Sequence, residues 1–132
     1  MRLVTAAIII SKGKVLIARR RPGDTGEGLW EFPGGVVEPG ETLQQCLERE
    51  LREELGVTAE IGQTIAESVT QDSRSYLKLV ALEARITGGE ITPTAHDLVE
   101  WVSLEELASY NLSAPDVPIA KLLAKRNDLQ GK

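Results

Sequence analysis

Residues 34–57 read Gly34-Gly35-Val36-Val37-Glu38-Pro39-Gly40-Glu41-Thr42-Leu43-Gln44-Gln45-Cys46-Leu47-Glu48-Arg49-Glu50-Leu51-Arg52-Glu53-Glu54-Leu55-Gly56-Val57. Thr42 followed three residues later by Gln45 is a capping-box pattern and predicts a helix starting there. Leu43, Leu47, Leu51 and Leu55 recur every four residues and form its apolar stripe. Gly56 ends it, because glycine takes a left-handed conformation without steric cost. With Leu43 at zero, ~100° per residue puts the leucines at about 0, 40, 80 and 120°. On the same construction Glu54 falls at about 20°, Glu50 at about 340° and Glu53 at about 280°.

Charge alone would allow a solvated helix face laced with ion pairs, and Glu48 and Arg52 have the spacing to pair with each other. The angles argue for more. Glu54 lies inside the leucine sector, Glu50 on its edge and Glu53 further round the same side, whereas charge kept for solubility would sit opposite, where Arg49 falls. Carboxylates crowded against an apolar stripe repel one another and lose hydration unless something cationic compensates. Arg49 can pair with some of them; a hard divalent cation with oxygen ligands would satisfy all three. Gly34 and Gly35 let the backbone approach a ligand closely, and a carbonyl there can also ligate metal. Glu41, at the junction of loop and helix, can turn its carboxylate back towards the same place.

Working outward, residues 3–10 are apolar almost without alternation, as in a strand covered on both faces. A turn at Ser11-Lys12-Gly13 leads to a second hairpin strand over 14–19. Arg19-Arg20-Arg21 runs into a glycine-rich loop over 22–28, and Leu29-Trp30-Glu31-Phe32 delivers the chain to Pro33-Gly34-Gly35. Beyond the helix, β segments over 57–69 and 75–86 flank the polar stretch 71–74, and a short strand covers 98–102. Ser103 with Glu106 predicts a second capping box on a short helix. Asp116, with Pro118 behind it, is expected to cap a last amphipathic helix carrying Ile119, Leu122 and Leu123. Strands around a central helix, with a helix closing the chain, make an α/β or α+β sandwich.

The 132 residues suit a single domain, 1–132, with its own core. Apolar content of 42% is ordinary for a globular chain. The longest apolar run, 6–10, is far short of the ~20 residues a bilayer span needs. Without a signal-peptide pattern, and with Cys46 as the single cysteine, the chain reads as cytoplasmic and free of intrachain disulfides. A net charge of −5 argues against a nucleic-acid polymer as partner. If the ligand is a polyphosphate, cations must be supplied locally, by metal ions or by a few placed arginines.

The spacing Gly35, five residues, Glu41, seven residues, Arg49-Glu50-Leu51, one residue, Glu53-Glu54, one residue, Gly56-Val57 resembles the complete signature of the Nudix hydrolases. The entry 29–35 is similar to the MutT-like branch and to bacterial CTP pyrophosphohydrolases, and the resemblance is loosest over 58–95. It implies an α/β/α sandwich with a mixed sheet, and Mg²⁺- or Mn²⁺-dependent hydrolysis of a nucleoside triphosphate to monophosphate and pyrophosphate. The substrate would be an oxidised purine such as 8-oxo-dGTP, or CTP and its deoxy form. Glu50, Glu53 and Glu54 would be metal ligands, helped by the Gly34 carbonyl. Arg49 would orient them by salt bridges, notably to Glu41, with Glu50 or Glu53 as general base. Arg20 falls where MutT-like enzymes contact nucleotide or phosphate, and Asp116 where relatives hydrogen-bond the base; Gly35 would lie against the substrate.

One departure stands out. Several relatives carry a glutamate six residues before the Trp101 position; here that residue is Ala95, beside His96, the only histidine. His96 or Glu100 could substitute, although a lone histidine is more often a surface residue. Trp30 and Phe32 are expected in the core, and Arg19 and Arg21 on the surface. The resemblance implies a nucleotide as partner, and a monomer or a homodimer with no membrane partner is expected. Two other readings stay open: ADP-ribose or a dinucleoside polyphosphate as substrate, and a nucleotide-sensing domain without hydrolysis.

Overall fold

In order the elements are β1 (Arg2–Ser11), β2 (Lys14–Arg20), β3 (Trp30–Glu31), β4 (Gly34–Val36), α1 (Leu43–Leu55), β5 (Thr58–Gln71), β6 (Tyr76–Gly88), β7 (His96–Ser103), a 3-10 turn (Glu106–Ser109), α2 (Asp116–Ala124) and α3 (Asn127–Gln130). They come from a computed structural model that describes residues 1–71 and 75–130. Residues 72–74 of the polar stretch expected between β5 and β6 lie outside the described residues.

β1 organises the sheet because nearly all its residues are apolar and both of its edges are used. Along one edge it runs parallel to β6, which pairs antiparallel with β5. On the other edge it pairs first with β4, at Val4 to Ala6, and then with the start of β2, at Ile10 and Ser11. The predicted hairpin is therefore short. β2 leaves β1 after two residue pairs and pairs instead with β7 and β3. The result is a mixed, seven-stranded sheet that splays into two arms.

Alternation along β1 sends side chains to two separate cores. Ala6 and Ile8 face Trp30, Phe32, Leu79, Ile119 and Leu123 on one side. Ala7 and Ile9 face Leu47, Leu51 and Leu55 of α1 on the other. Each fully buried leucine of that stripe stabilises the fold by roughly 1.5–3 kcal/mol. With α1 on one face and α2 on the other, the architecture is the expected α+β sandwich.

The caps of α1 form as predicted. Thr42 Oγ1 accepts from the Gln45 amide at 3.0 Å, the Gln45 side chain accepts from the Thr42 amide at 2.9 Å, and Gly56 closes the helix at φ 70°. Elsewhere four expectations need correction. Asp116 does not cap α2: it is the first helical residue, Pro115 holds the cap position, and no side-chain capping bond is made. Its carboxyl turns inward and is 5% exposed. Leu122 points out, 47% exposed, while Ala120 takes its place in the core. Ser103 Oγ does accept from the Glu106 amide, but the segment is a 3-10 turn, and the Glu106 carboxylate takes the Ser103 hydroxyl rather than its amide. Glu48 and Arg52 make no ion pair with each other among the described residues, as expected of exposed long side chains whose pairing gains little in water.

Candidate active site

The glycine pair belongs to a strand rather than a turn. Gly34 and Gly35 pair with Ala6 and Thr5 of β1, and this backbone lies against the Glu50 and Glu54 side chains of α1. A Cβ on Gly34 would stand 2.0 Å from the Thr5 carbonyl oxygen. One on Gly35 would stand 2.4 Å from the Glu50 carboxyl carbon. Absence of a side chain at Gly35 is thus what leaves room for the Glu50 carboxylate. Behind the strand, the buried Thr5 hydroxyl donates to the Gly35 carbonyl at 3.3 Å, and the Cys46 thiol lies 3.3 Å from that hydroxyl.

Arg49 is the hub of the acidic end. Its Nε and Nη2 donate to the two oxygens of Glu41 at 2.6 and 2.9 Å, a bidentate pair, and Nη2 also donates to the Val36 carbonyl at 3.2 Å. Nη1 donates to Glu50 at 2.7 Å and to Glu53 at 3.3 Å. Glu41 also accepts from the Glu38 amide at 2.9 Å. The Arg49 guanidinium and that amide together hold the Glu41 carboxyl down at about 2. Arg49 is shifted upward in turn, chiefly by Glu41.

Glu54 is different. Among the described residues it has no cationic partner; one oxygen accepts from the Gly34 amide at 3.1 Å. Burial, then the charges of Glu50 and Glu31, push its carboxyl up to about 8. Burial also raises Glu50, against the pull of Arg49. Glu53 is 58% exposed at its side chain, in keeping with its place furthest from the leucines.

Tested for a metal, this donor set fits a hard divalent cation: two partly buried carboxylates with raised pKa, a third beside them, and net negative charge that Arg49 does not cancel. In the conformation described, no group of three or more His, Cys, Asp or Glu side chains is gathered closely enough to hold an ion among the described residues. The physical reason is visible in the contacts above, since Arg49 holds Glu50 and Glu53 while Gly34 holds Glu54.

From this acidic end a cleft of about 880 Å³ runs between the arms of the sheet, lined by Gly34, Gly35, Glu50 and Glu54 at one end and by Arg20, Glu31, Ser113 and Asp116 at the other. Phe32, Leu77 and Leu79 supply apolar wall. Arg20 Nε donates to Glu31 at 2.9 Å, and its Nη1 donates to the Thr25 carbonyl at 2.7 Å. His96 Nε2 lies 2.9 Å from the other Glu31 oxygen. Burial favours the neutral acid at Glu31, but the bonds from His96 and Arg20 outweigh it and leave the carboxyl below its ordinary value. Asp116 accepts from the Phe32 amide, and burial followed by the charge of Glu31 pushes it up to about 8. At neutral pH, Asp116 therefore presents both an O–H donor and a carbonyl acceptor to the cleft.

His96 is thus not on the surface: its side chain is 2% exposed, because Glu31 offers a buried partner that sequence spacing does not reveal. Its Nδ1 and the Ser113 Oγ are buried without a hydrogen-bond partner among the described residues. Glu100 accepts from the Tyr110 hydroxyl at 2.7 Å and is not part of the cleft lining. Trp30 and Phe32 are in the core as expected, Trp30 edge-on to Tyr110 with ring centroids 5.2 Å apart. Arg19 pairs with Asp97 at the surface, and the Arg21 guanidinium donates to the Thr94 carbonyl. Glu31 was absent from the sequence-derived site, its only signal a charged residue inside an apolar 29–32 run, and His96, a possible substitute for the glutamate missing at Ala95, proves to be its partner.

With this geometry in hand, the family model of the NUDIX domain matches residues 1–123. A CTP pyrophosphohydrolase of Escherichia coli is 40% identical over 116 residues, 88% of this chain and 86% of that protein. A putative 8-oxo-dGTP diphosphatase of Mycobacterium tuberculosis is 34% identical, covering 80% of this chain and 76% of that protein. Among solved structures, a MutT protein from Methanosarcina mazei superposes with a TM-score of 0.84 at 26% identity, covering 96% of this chain and 94% of that one.

Proposed function

Since the chain belongs to the Nudix family of hydrolases, which cut phosphoric anhydride bonds, we propose that it is a nucleoside triphosphate pyrophosphohydrolase acting with Mg²⁺ or Mn²⁺. The products would be the nucleoside monophosphate and pyrophosphate, and the substrate CTP or dCTP, or an oxidised purine such as 8-oxo-dGTP. One observation carries this: Glu54, partly buried and without a cationic partner among the described residues, lines with Glu50 the end of a cleft large enough for a nucleotide, and Glu53 follows on the same helix. Similarity to proteins named for these two activities supports the choice of substrates.

In this reading Glu50, Glu53 and Glu54 hold the cation, with the Gly34 carbonyl beside them. Bound there, it would neutralise phosphate oxygens and acidify a water for in-line attack on phosphorus. Arg49, fixed by Glu41, holds Glu50 and Glu53 in place until the ligand arrives. Glu50 or Glu53 is the nearest group to take the proton from the attacking water. Gly35 keeps the approach open, Arg20 lies between Glu31 and the loop at Thr25, and Asp116 faces the base.

Product identification tests this. Incubation with Mg²⁺ and a panel of nucleotides should give monophosphate and pyrophosphate from at least one triphosphate. Diphosphate with inorganic phosphate, or ADP-ribose as the one substrate cut, would overturn the assignment.

A further inference from the structure

The last turn of a helix leaves four carbonyls without partners in the helix. At the end of α1 all four are met. The Gly56 amide donates to Arg52 O at 3.0 Å, the Thr92 amide to Leu55 O at 2.8 Å, and the Thr94 amide to Glu54 O at 2.9 Å. The Thr94 hydroxyl donates to Glu53 O at 2.7 Å. Three of these four donors come from residues 92–94, far downstream in the chain. That segment is tied elsewhere too: Arg21 donates to the Thr94 carbonyl, and two residues on His96 bonds Glu31.

Resting on the assignment of Glu53 and Glu54 as cation ligands, we propose that Thr94 is a positioning residue for both of them. Its amide and hydroxyl hold the turn that aims the two carboxylates, and its carbonyl ties that turn to Arg21. Terminal helical turns fray readily, and a frayed turn would let both side chains wander. Glu53 depends on this hold most, since among the described residues its exposed carboxylate is otherwise restrained only by Arg49 at 3.3 Å. Thr94 is itself exposed, so its hydroxyl adds little to global folding. The same segment carries His96, so the acidic end and the Glu31 end of the cleft share one strut.

Thr94→Val removes the hydroxyl at nearly constant shape, and Thr94→Ser keeps it. Three quantities are read on the full chain: Mn²⁺ binding by calorimetry, amide exchange at residues 53–56 in chelator-treated protein, and turnover against Mg²⁺ concentration. Thr94→Val should weaken Mn²⁺ about tenfold, as loss of an outer partner of a metal ligand does. It should also speed exchange at 53–56 and lose turnover that returns at saturating Mg²⁺, while Thr94→Ser stays near the parent. Unchanged Mn²⁺ affinity and exchange in Thr94→Val would overturn the inference alone, as would equal losses in Thr94→Ser. A parent protein that binds no Mn²⁺, or a Glu54→Gln variant that binds it as tightly as the parent, would overturn the metal assignment and this inference with it.

Discussion

Glu50, Glu53 and Glu54 project from little more than one turn of a single helix, whereas Arg20, Glu31, His96 and Asp116 come from β2, β3, β7 and α2. At the first end, relative position is set by helical repeat and by one arginine. At the second it is set by strand register, since His96 stands opposite Arg20 across the β2–β7 pairing and just past a register shift. The electrostatics differ in the same way. At the helix end burial, together with an excess of carboxylates over cations, raises Glu54. At the other end Arg20 and His96 both bond Glu31, while burial and then the charge of Glu31 raise Asp116 to about 8, which suits it to hydrogen bonding rather than charge. Under the proposed function, the first end would carry the chemistry on phosphate and the second would choose what is attached to it.

The largest expected break in this contrast is Glu53→Gln, which should lower turnover by about 10³-fold on every substrate, the scale of a lost charge at a metal-assisted transition state. Its side chain is exposed, so the fold should survive the change, and an unchanged circular dichroism spectrum would check that. Turnover close to the parent's would remove Glu53 from the site.

Arg49→Lys comes next. A lysine ammonium cannot keep the bidentate bond to Glu41 while also reaching Glu50 and Glu53. Turnover should fall about 10–100-fold, the range for partners that orient metal ligands. Steady-state rates at several Mg²⁺ concentrations would measure this, and a lysine variant as active as the parent would show that the hub is dispensable.

At the other end, Asp116→Asn should change how stability depends on pH. The Asp116 carboxyl is held up to about 8 in the fold, against about 3.9 for an unperturbed aspartate. Between those values the folded chain binds more protons than the unfolded one, so this group's contribution to stability declines as pH rises from about 4 to about 8. Asparagine has no such proton to lose. The difference in unfolding free energy between variant and parent should therefore shift in the variant's favour across that window, by urea titration at each pH. A difference independent of pH would mean that Asp116 is ionised in the fold.

The smallest effect belongs to neither end. Thr42→Ala removes half of the capping box and should cost about 1 kcal/mol of stability, with turnover at saturating Mg²⁺ preserved. A loss of turnover instead would mean that the start of α1 also aims the carboxylates.

The contrast between the two ends explains what could be read from the sequence. The helix, its caps and the sector holding Glu54 were legible because they depend on residues three and four apart, where period alone fixes the face. β1 was legible because its apolar run requires cover on both sides. Asp116 was read as a helix cap because local spacing suggests one; its inward turn depends on the Phe32 amide, contributed by a distant segment. His96 was placed on the surface for the same reason, since nothing near it in sequence supplies Glu31. The glycine pair was recognised as permissive, but its strand pairing with β1, and the room it leaves for Glu50, required the third dimension. Thr94 carries no sequence signal at all, because a threonine before a strand has no spacing that marks it as a cap for a helix far upstream.

The division between the two ends is tested most directly by the ratio of CTP to 8-oxo-dGTP hydrolysis rates, measured for the parent, Glu54→Gln and Asp116→Asn under the same Mg²⁺ conditions. Glu54→Gln should depress both rates together and leave the ratio unchanged, while Asp116→Asn should retain turnover and shift the ratio. A ratio altered by Glu54→Gln, or left untouched by Asp116→Asn, would contradict it.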